Sequence, residues 1–346
     1  MEVSMLGVLP MALKAAVELN VMDILAQHAG AEAEGDGYLS AAQIAAHLEG
    51  RTASVEEAAS ALDRILRVLA SYGLLASTTK ATGPKTSYGL PAATSRFLRS
   101  TSSTSIAPFV LLLQHPVFWQ TYNKFHTAVL HGGDLFARVH GLKAFSLIQT
   151  DAAFNQLFHH AMLALSHLVM NDLLAIYHGF QAFRSIVDVG GGLGACLSLI
   201  TSKYPHIKGT NFDLPHVVAG APTYPGVEHV GGDMFEAIPK SEAIFMKHIL
   251  HCWSDDNCVK ILTNCLNSLP IYGKVIFVEA VLPKQVEQDS DARASYNMDL
   301  VMLAFPDGGK ERTKEEFEAL SLHAGFSNLQ VVCSIHGLSV MEISKT

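Results

Sequence analysis

A buried strand that runs directly into a loop of alternating glycines constrains this chain more than any other feature. Residues 186–189 read Ile-Val-Asp-Val and predict a strand, and Gly190, Gly192 and Gly194 come next at alternate positions. Such glycines let the backbone turn tightly and let a ligand approach the bare main chain. We expect a helix over 196–203, with its N-terminus directed at the bound molecule. The loop alone fits many α/β nucleotide sites, so the ligand must be inferred from the ends of the later strands.

The next predicted strands also end in groups that can bind a ligand. The second strand ends in Asp213, roughly 20 residues beyond the glycines, where an acid suits a ribose diol. The third is followed by Asp233, which can accept from an exocyclic amine, and by Met234, which can lie against an adenine face. The fourth ends at Lys247. Taken singly, Asp213 also fits a turn and Met234 a core, but together the residues predict a crevice at the carboxyl edge of a parallel sheet.

Strands and helices alternate after about residue 180, which predicts a doubly wound, mostly parallel sheet in an α/β domain. The chain ends in two predicted strands around His336-Gly337, which indicate an antiparallel hairpin. The seven predicted strands cover residues 186–189, 208–212, 227–230, 243–246, 275–278, 329–335 and 338–343.

The first half of the chain has a mainly helical pattern. Apolar residues at helical spacing predict one helix over 11–27, a short helix over 41–47 capped by Ser40, and a longer helix over 55–72. Turn residues around 88–90 predict a small β-wing. Two helices followed by a wing form a winged-helix arrangement.

Composition narrows the classes of partner. A winged helix can bind DNA, but its second helix carries only Arg64 and Arg67 as bases, and the net charge of the chain is −8. We expect neither nucleic acid nor an anionic membrane as a partner, and a DNA-binding regulator is kept only as the alternative from another class. The five cysteines include no closely spaced pair, and neither a signal peptide nor a membrane-length apolar run is evident. These features predict a cytoplasmic protein with reduced thiols.

Seven motifs in a fixed order carry a family resemblance. They cover residues 9–14, 187–194, 212–215, 232–235, 247–255, 273–275 and 308–313. In this order they resemble the plant-type S-adenosylmethionine-dependent O-methyltransferases, the class I methyltransferases that include caffeic acid and flavonoid O-methyltransferases. The resemblance covers nearly the whole chain. It implies S-adenosylmethionine (SAM) as methyl donor and S-adenosylhomocysteine (SAH) as product, and it assigns donor contacts to Gly190, Asp213, Leu214, Asp233, Met234 and Lys247.

The resemblance also implies a division of the chain into three parts and a seven-stranded methyltransferase sheet. Residues 1–100 would form a winged-helix-like dimerisation domain, 101–180 a helical connector that contributes to the substrate pocket, and 181–346 a SAM-binding, Rossmann-like catalytic domain. A homodimer is therefore expected. Family members usually carry an extra helix before the Leu9-Pro10 motif, so we expect either a smaller dimer seam or a shortened sequence here.

His251, just past the fourth strand, is the candidate base. A phenol titrates near ~10 and an imidazole near ~6.5, so a neutral histidine can take the phenol's proton during attack. A carboxylate on the other ring nitrogen would orient the imidazole and stabilise its charged form. The candidates are Glu279, expected at the end of the fifth strand, and Glu311, just before a helix that begins near Thr313. The resemblance assigns His251 as the base and the two glutamates as its flanking acids.

A metal site is the alternative interpretation of this segment. His248, His251 and Asp255 would share a face if the segment were one regular helix. It leaves directly from a strand end, however, which makes such a helix doubtful. The adjacent His159 and His160 would point to different faces of their own helix. We therefore expect no metal.

Apolar and aromatic residues are the candidates for the acceptor pocket. The resemblance places Leu113, Phe118, Phe154, Phe158, Met162, Met298, Val301 and Met302 there. Without it, Met and Phe at helical spacing fit an ordinary core better than a pocket. Where caffeate-type members carry polar groups, this chain has Leu113, Ile148, Leu165 and Pro306, and Cys252 replaces the usual Asp after the base.

The predicted pocket is therefore more apolar than that of a monolignol enzyme. The sequence as a whole predicts methyl transfer from SAM to a phenolic hydroxyl of a phenylpropanoid, flavonoid or related plant phenolic. An N-methyltransferase of the same fold, acting on an aromatic amine or indole, is the alternative within the enzymes.

Overall fold

The computed structural model describes residues 1–28, 37–79 and 86–345, and the chain divides into two compact units. Unit 1 comprises Met1–Pro116 and His160–Leu168, and unit 2 comprises Val117–His159 and Val169–Thr346. Buried apolar side chains form a hydrophobic core within each unit.

Unit 1 is mainly helical. Its elements are α1 (Glu2–Met5), α2 (Val8–Glu18), α3 (Val21–His28), β1 (Leu39–Ser40), α4 (Ala41–Ala46), α5 (Val55–Ser71), β2 (Ala76–Thr79), β3 (Thr86–Gly89), α6 (Ala92–Leu98) and α7 (Ala107–Leu113). The strands form a small antiparallel sheet in the order β1–β3–β2. Of residues 88–90, predicted as a wing, the first two lie in β3, which pairs with β1 and β2.

Local capping explains where the two central helices of unit 1 begin. The Ser40 side chain accepts a hydrogen bond from the Gln43 backbone N–H, and the Gln43 side chain accepts one from the Ser40 N–H. Ser54 and Glu57 form the same reciprocal pair at the start of α5. Each capping box satisfies N–H groups that the helix leaves without an internal partner.

The prediction of one helix over 11–27 is wrong. The chain forms α2 and α3, and Asn20 between them has φ 53°, in the left-handed region. Asparagine tolerates that conformation better than most residues, and it ends the first of the two helices here. The apolar periodicity of the sequence continues on both sides of Asn20 and therefore does not reveal the break.

Unit 2 contains the large sheet and its flanking helices. Its strands are β4 (Ser185–Val189), β5 (Lys208–Asp213), β6 (Val227–Gly231), β7 (Ala243–Lys247), β8 (Lys274–Leu282), β9 (Arg312–Thr313), β10 (Asn328–Ile335) and β11 (Leu338–Ser344). Its helices are α8 (Pro116–Tyr122), α9 (Phe125–His131), α10 (Leu135–His140), α11 (Ala144–Thr150), α12 (Ala152–Ile176), α13 (Ala195–Lys203), α14 (Pro215–Val218), α15 (Asp255–Ser268), α16 (Ser290–Ala304) and α17 (Lys314–His323). Two of these helices are divided: Pro116 of α8 and His160–Leu168 of α12 belong to unit 1.

The α/β prediction is confirmed. Seven strands take the order β10–β11–β8–β7–β4–β5–β6, and the two-residue β9 pairs with β8 off this path. The pairs from β8 to β6 are parallel, whereas β11 runs antiparallel to β8 and to β10. The strand order reverses direction between β4 and β7. A doubly wound sheet binds ligands at such a switch point, outside the carboxyl ends of its strands.

One strand is longer than predicted. The apolar run over 275–278 predicts the end of the fifth strand at Glu279, but β8 continues to Leu282. Glu279 is therefore buried inside the strand, with its side chain fully covered. β8 pairs with β11 as far as Ala280 and with β9 at Val281 and Leu282, and this pairing extends the strand past Glu279.

No single helix in the described ranges has both the length and the apolar composition needed to cross a bilayer. The pair Glu2–Glu18 and Val21–His28, bent by 54°, meets these criteria only when its two members are taken together.

Replacement of Leu66 by Ala tests the core of unit 1. Leu66 is fully buried on α5, so its truncation should lower the free energy of unfolding by roughly 2–5 kcal/mol. Arg64→Ala, at an exposed position of the same helix, should change it by less than about 0.5 kcal/mol. Urea unfolding followed by circular dichroism measures both, and equal losses would contradict this packing.

Candidate active site

The first two positions of the glycine loop after β4 leave no room for a side chain. Gly190 has φ 69°, in the left-handed region, and a Cβ there would lie 2.4 Å from Ile249 Cδ1. A Cβ on Gly191 would lie 2.2 Å from Asn211 Oδ1 and 2.7 Å from Asp188 Oδ2. The sequence therefore needs glycine here for the turn and for the approach of buried polar groups.

The side chains of Asp213 and Asp188 lie beside this loop. Asp213 Oδ2 accepts from the Gly192 N–H at 2.8 Å, and its Oδ1 accepts from the Leu214 N–H at 2.7 Å. Burial raises the pKa of Asp213, and it raises the pKa of Asp188 to about 8. Asp188 is therefore mainly protonated at neutral pH. Asp188 Oδ2 and Asn211 Oδ1 are buried without a hydrogen-bond partner, so both oxygens could still form a hydrogen bond with another group.

The remaining predicted donor contacts lie just beyond β6 and at the end of β7. Asp233 Oδ1 accepts from the Phe235 N–H at 2.8 Å, and the Met234 carbonyl accepts from Asn264 Nδ2 at 2.8 Å. Lys247, the last residue of β7, has its Nζ 3.4 Å from His248 Nδ1. Parallel strands bring these residues to the same sheet edge as the glycine loop, as the sequence predicts.

His251 lies on a single 3-10 turn, Leu250–Cys252, just beyond β7. Its ring is almost completely buried, and Nδ1 lies 2.8 Å from Glu311 Oε1. Because an ionised carboxylate can only accept, Nδ1 is the nitrogen that carries the proton. Nε2 is then the nitrogen that is free to accept a proton from another molecule.

The two glutamates have different geometries. Glu279 Oε2 is 3.9 Å from His251 Nδ1, beyond hydrogen-bond distance. Its Oε1 instead accepts from the backbone N–H groups of Ile249 and Leu250, each at 2.8 Å. Glu279 therefore fixes the turn and supplies negative charge, whereas Glu311 holds the ring itself.

The buried charges shift the titration of this cluster. Burial alone would lower the pKa of His251, but the Cys252 sulfur and the carboxylates of Glu279 and Glu311 outweigh it and raise the pKa well above the usual value. Burial raises the pKa of Glu279. Burial, with Lys247 and His251 as further causes, lowers the pKa of His248 well below its usual value. The neutral His248 ring stacks on His251 with centroids 5.2 Å apart.

The regular helix that the metal alternative requires is absent from this described segment. His248 has φ 57°, and the turn around His251 is only three residues long. Asp255 instead pairs with Arg312 and Lys310. One group among the described residues, His251 with Glu279 and Glu311, has potential ligand atoms within 4.8 Å of one another. The 2.8 Å contact inside it is the length of a charge-assisted hydrogen bond.

Aromatic rings from three of the predicted pocket positions cluster within unit 2. Phe118 is stacked on Phe305 at 5.1 Å and lies 6.4 Å from Phe154, and Phe158 is stacked on Phe305 at 6.0 Å. Phe305, just after α16, is the neighbour that Phe118 and Phe158 share, and the pocket residues named from the sequence do not include it. Met302 is buried, and Met298 and Val301 are half-buried on α16; Leu113 and Met162 belong to unit 1.

Sequence reasoning also missed two residues that hold the His251–Glu311 pair in place. Asp299 Oδ1 accepts from the backbone N–H of Glu311 at 2.8 Å. Arg312, directly after Glu311 in a predicted motif, is fully buried. The position of Arg312 next to Glu311 was the one available sign in the sequence. Spacing along the chain does not show which backbone carbonyls its side chain reaches.

Comparison with known proteins identifies the family. The O-methyltransferase domain model matches residues 122–327, and the O-methyltransferase dimerisation domain model matches residues 1–100. Caffeic acid 3-O-methyltransferase from Clarkia breweri is 43% identical, with 100% of this chain and 93% of the relative covered. Desmethyl-yatein O-methyltransferase from Sinopodophyllum hexandrum is 44% identical, with 100% and 97% covered.

A solved structure agrees with these relatives. CalO1, a methyltransferase in calicheamicin biosynthesis crystallised with SAH, superposes with TM-score 0.84 at 27% identity and covers 100% of this chain and 96% of its own. The chain belongs to the O-methyltransferase family. It is a SAM-dependent O-methyltransferase, with a catalytic domain of the α/β class and a helical dimerisation domain.

Replacement of Gly191 by Ala tests the donor side of the site. The new Cβ would meet Asn211 Oδ1 at 2.2 Å, so the loop must shift and SAH affinity should fall at least about tenfold. Gly220→Ala is the matched control, because Gly220, like Gly191, lies outside the left-handed region, and only the Val217 carbonyl oxygen, at 3.8 Å, lies near its Cβ position. It should leave SAH affinity unchanged. Isothermal titration calorimetry with SAH measures both, and equal affinities of the two variants would contradict this account.

Proposed function

We propose that this enzyme transfers the methyl group of SAM to a phenolic hydroxyl, with His251 as general base. The observation that carries the proposal is the 2.8 Å hydrogen bond between His251 Nδ1 and Glu311, which leaves Nε2 as the proton acceptor. Glu311 and Glu279 stabilise the imidazolium that forms when the phenol loses its proton.

The edge of the sheet has the groups that a nucleoside donor needs. Gly190, Asp213, Leu214, Asp233, Met234 and Lys247 are the residues that we propose hold SAM. The unpartnered oxygens of Asp188 and Asn211 support a polar ligand at this place. When bound, SAM supplies a methyl group on a positively charged sulfur, which makes that carbon electrophilic. The chain supplies the proton acceptor and the alignment of the phenol.

The raised pKa of His251 suits this task. A phenol near ~10 transfers its proton more readily to a base whose pKa lies closer to its own. The Cys252 sulfur and the side chains of Glu279 and Glu311 outweigh the effect of burial and raise the pKa of the imidazole toward that value. We propose that the cluster works without a metal, so a chelator such as EDTA should leave the rate unchanged.

Sequence pattern and family membership support a homodimer in the cytoplasm. The dimerisation domain model over 1–100 is the observation behind the homodimer, and the five free cysteines of the described residues are consistent with a reducing compartment. Residues 101–180 are proposed as the connector and 181–346 as the catalytic domain.

Replacement of His251 by Ala tests the base. It should lower kcat about 10²–10⁴-fold and leave SAH affinity within about twofold, because the base is used only in the chemical step. His323→Gln, at an exposed position at the end of α17, is the control. Transfer of a labelled methyl group from SAM measures the rates, and a near wild-type kcat would refute the mechanism.

The pH profile tests the role of Glu311. The base must be neutral, so kcat should rise as pH rises through the raised pKa of His251. Glu311→Gln removes one of the charges that raise this pKa, so the rising limb should move to lower pH while the plateau falls. A profile that is flat through the histidine range would favour methylation of an amine. A limb that does not move in the variant would refute the role of Glu311.

The acceptor class is tested with a panel of phenols. We propose an extended phenolic such as a flavonoid or stilbene, because Ile148 and Pro306 offer no side-chain hydrogen bonds to polar ring substituents. Luteolin and resveratrol should therefore show kcat/KM at least equal to that of caffeate. Strong preference for free caffeate over every flavonoid would contradict the apolar pocket.

A further inference from the structure

Arg312 is a buried cation directly beside the catalytic cluster. Among the lysines and arginines of the described residues it alone is fully buried, and it is the largest fully buried side chain there. Burial of a guanidinium lowers the stability of the fold unless its N–H groups form hydrogen bonds. The hydrogen-bond partners of Arg312 therefore indicate what this side chain does.

The partners of Arg312 lie at the two ends of the turn that carries His251. Nη1 donates to the Leu250 carbonyl at 2.8 Å, and Nη2 donates to the Trp253 carbonyl at 2.7 Å. Nε donates to Asp255 Oδ1 at 2.9 Å. The planar fork of one guanidinium therefore fixes the backbone before and after the base at the same time.

The neighbours of Arg312 hold the same turn from the same side. The Lys310 N–H donates to the His251 carbonyl at 3.0 Å, and Glu311 accepts from the His251 ring at 2.8 Å. Of these three consecutive residues, the first thus binds the backbone carbonyl of His251 and the second binds its ring. The third, Arg312, binds the carbonyls on either side of His251. A shift of Arg312 would move the turn relative to Glu311.

We propose that Arg312 is a positioning residue for methyl transfer, which acts on the rate through the placement of His251. This inference rests on the proposed function, because it takes His251 as the base. The rigid fork is the essential feature: a lysine keeps the charge but cannot reach two carbonyls and a carboxylate with fixed geometry.

The decisive experiment is a double-variant cycle between Arg312→Lys and His251→Ala. In the wild-type background, Arg312→Lys should lower kcat by about 10- to 10²-fold, because a misplaced catalytic group loses rate steeply. The acceptor KM and the affinity for SAH should stay within about twofold. In the His251→Ala background, the same change should lower the residual kcat by less than about twofold. Lys314→Met, at a half-exposed position in the first turn of α17, is the control and should match wild type.

Each result decides between distinct explanations. If Arg312→Lys lowers kcat equally with and without His251, the residue is merely structural and the proposal is overturned. It is also overturned if kcat is unchanged in the wild-type background. If His251→Ala itself keeps the wild-type rate, it is the proposed function that fails.

A second variant covers the case in which Arg312→Lys does not fold. Asp255 is about half exposed, so Asp255→Asn removes the charge partner of Arg312 but keeps an oxygen that can accept from Nε. It should lower kcat about threefold in the wild-type background and not at all in the His251→Ala background. An equal loss in both backgrounds, or no loss in either, would overturn the positioning role.

Discussion

The hydrogen bond between His251 Nδ1 and Glu311 Oε1 is the interaction on which the rest of the site depends. It decides which ring nitrogen carries the proton, and it joins two segments that are 60 residues apart in the chain. The surrounding contacts keep this one distance short: Glu279 ties down the backbone ahead of the ring, and Asp299 holds the backbone of Glu311. The pKa of the His251 ring is raised in this arrangement, because the groups beside it outweigh the effect of burial, which alone would lower the pKa.

The sheet topology explains why the glycine loop and the turn that carries His251 lie at adjacent places. The strand order reverses between β4 and β7, so the glycine loop after β4 and the turn after β7 leave the sheet at adjacent places. Asp188 lies in β4 and is kept mainly protonated by burial, whereas the glutamates near the base face a group that can become positive. Acidic side chains at one sheet edge thus have different electrostatic surroundings.

Much of this arrangement could be predicted from the sequence. The glycine loop, the strand ends and the spacing from His251 to Glu311 rest on local pattern and on motif order. Local pattern failed at two element boundaries. Asn20 ends a helix within an apolar repeat, and β8 extends past Glu279 because neighbouring strands pair with it there. Whether Glu279 or Glu311 touches the ring depends on distances of 3.9 and 2.8 Å, which no spacing along the chain specifies.

The protonation state of the His251 ring tests the central claim most directly. In the protein labelled with ¹⁵N-histidine, and with His251→Gln for assignment, NMR should show Nδ1 protonated throughout the neutral range. Nε2 should lose its proton with a pKa above that of a free histidine. A neutral ring with its proton on Nε2, or a pKa at or below the ordinary value, would contradict the account.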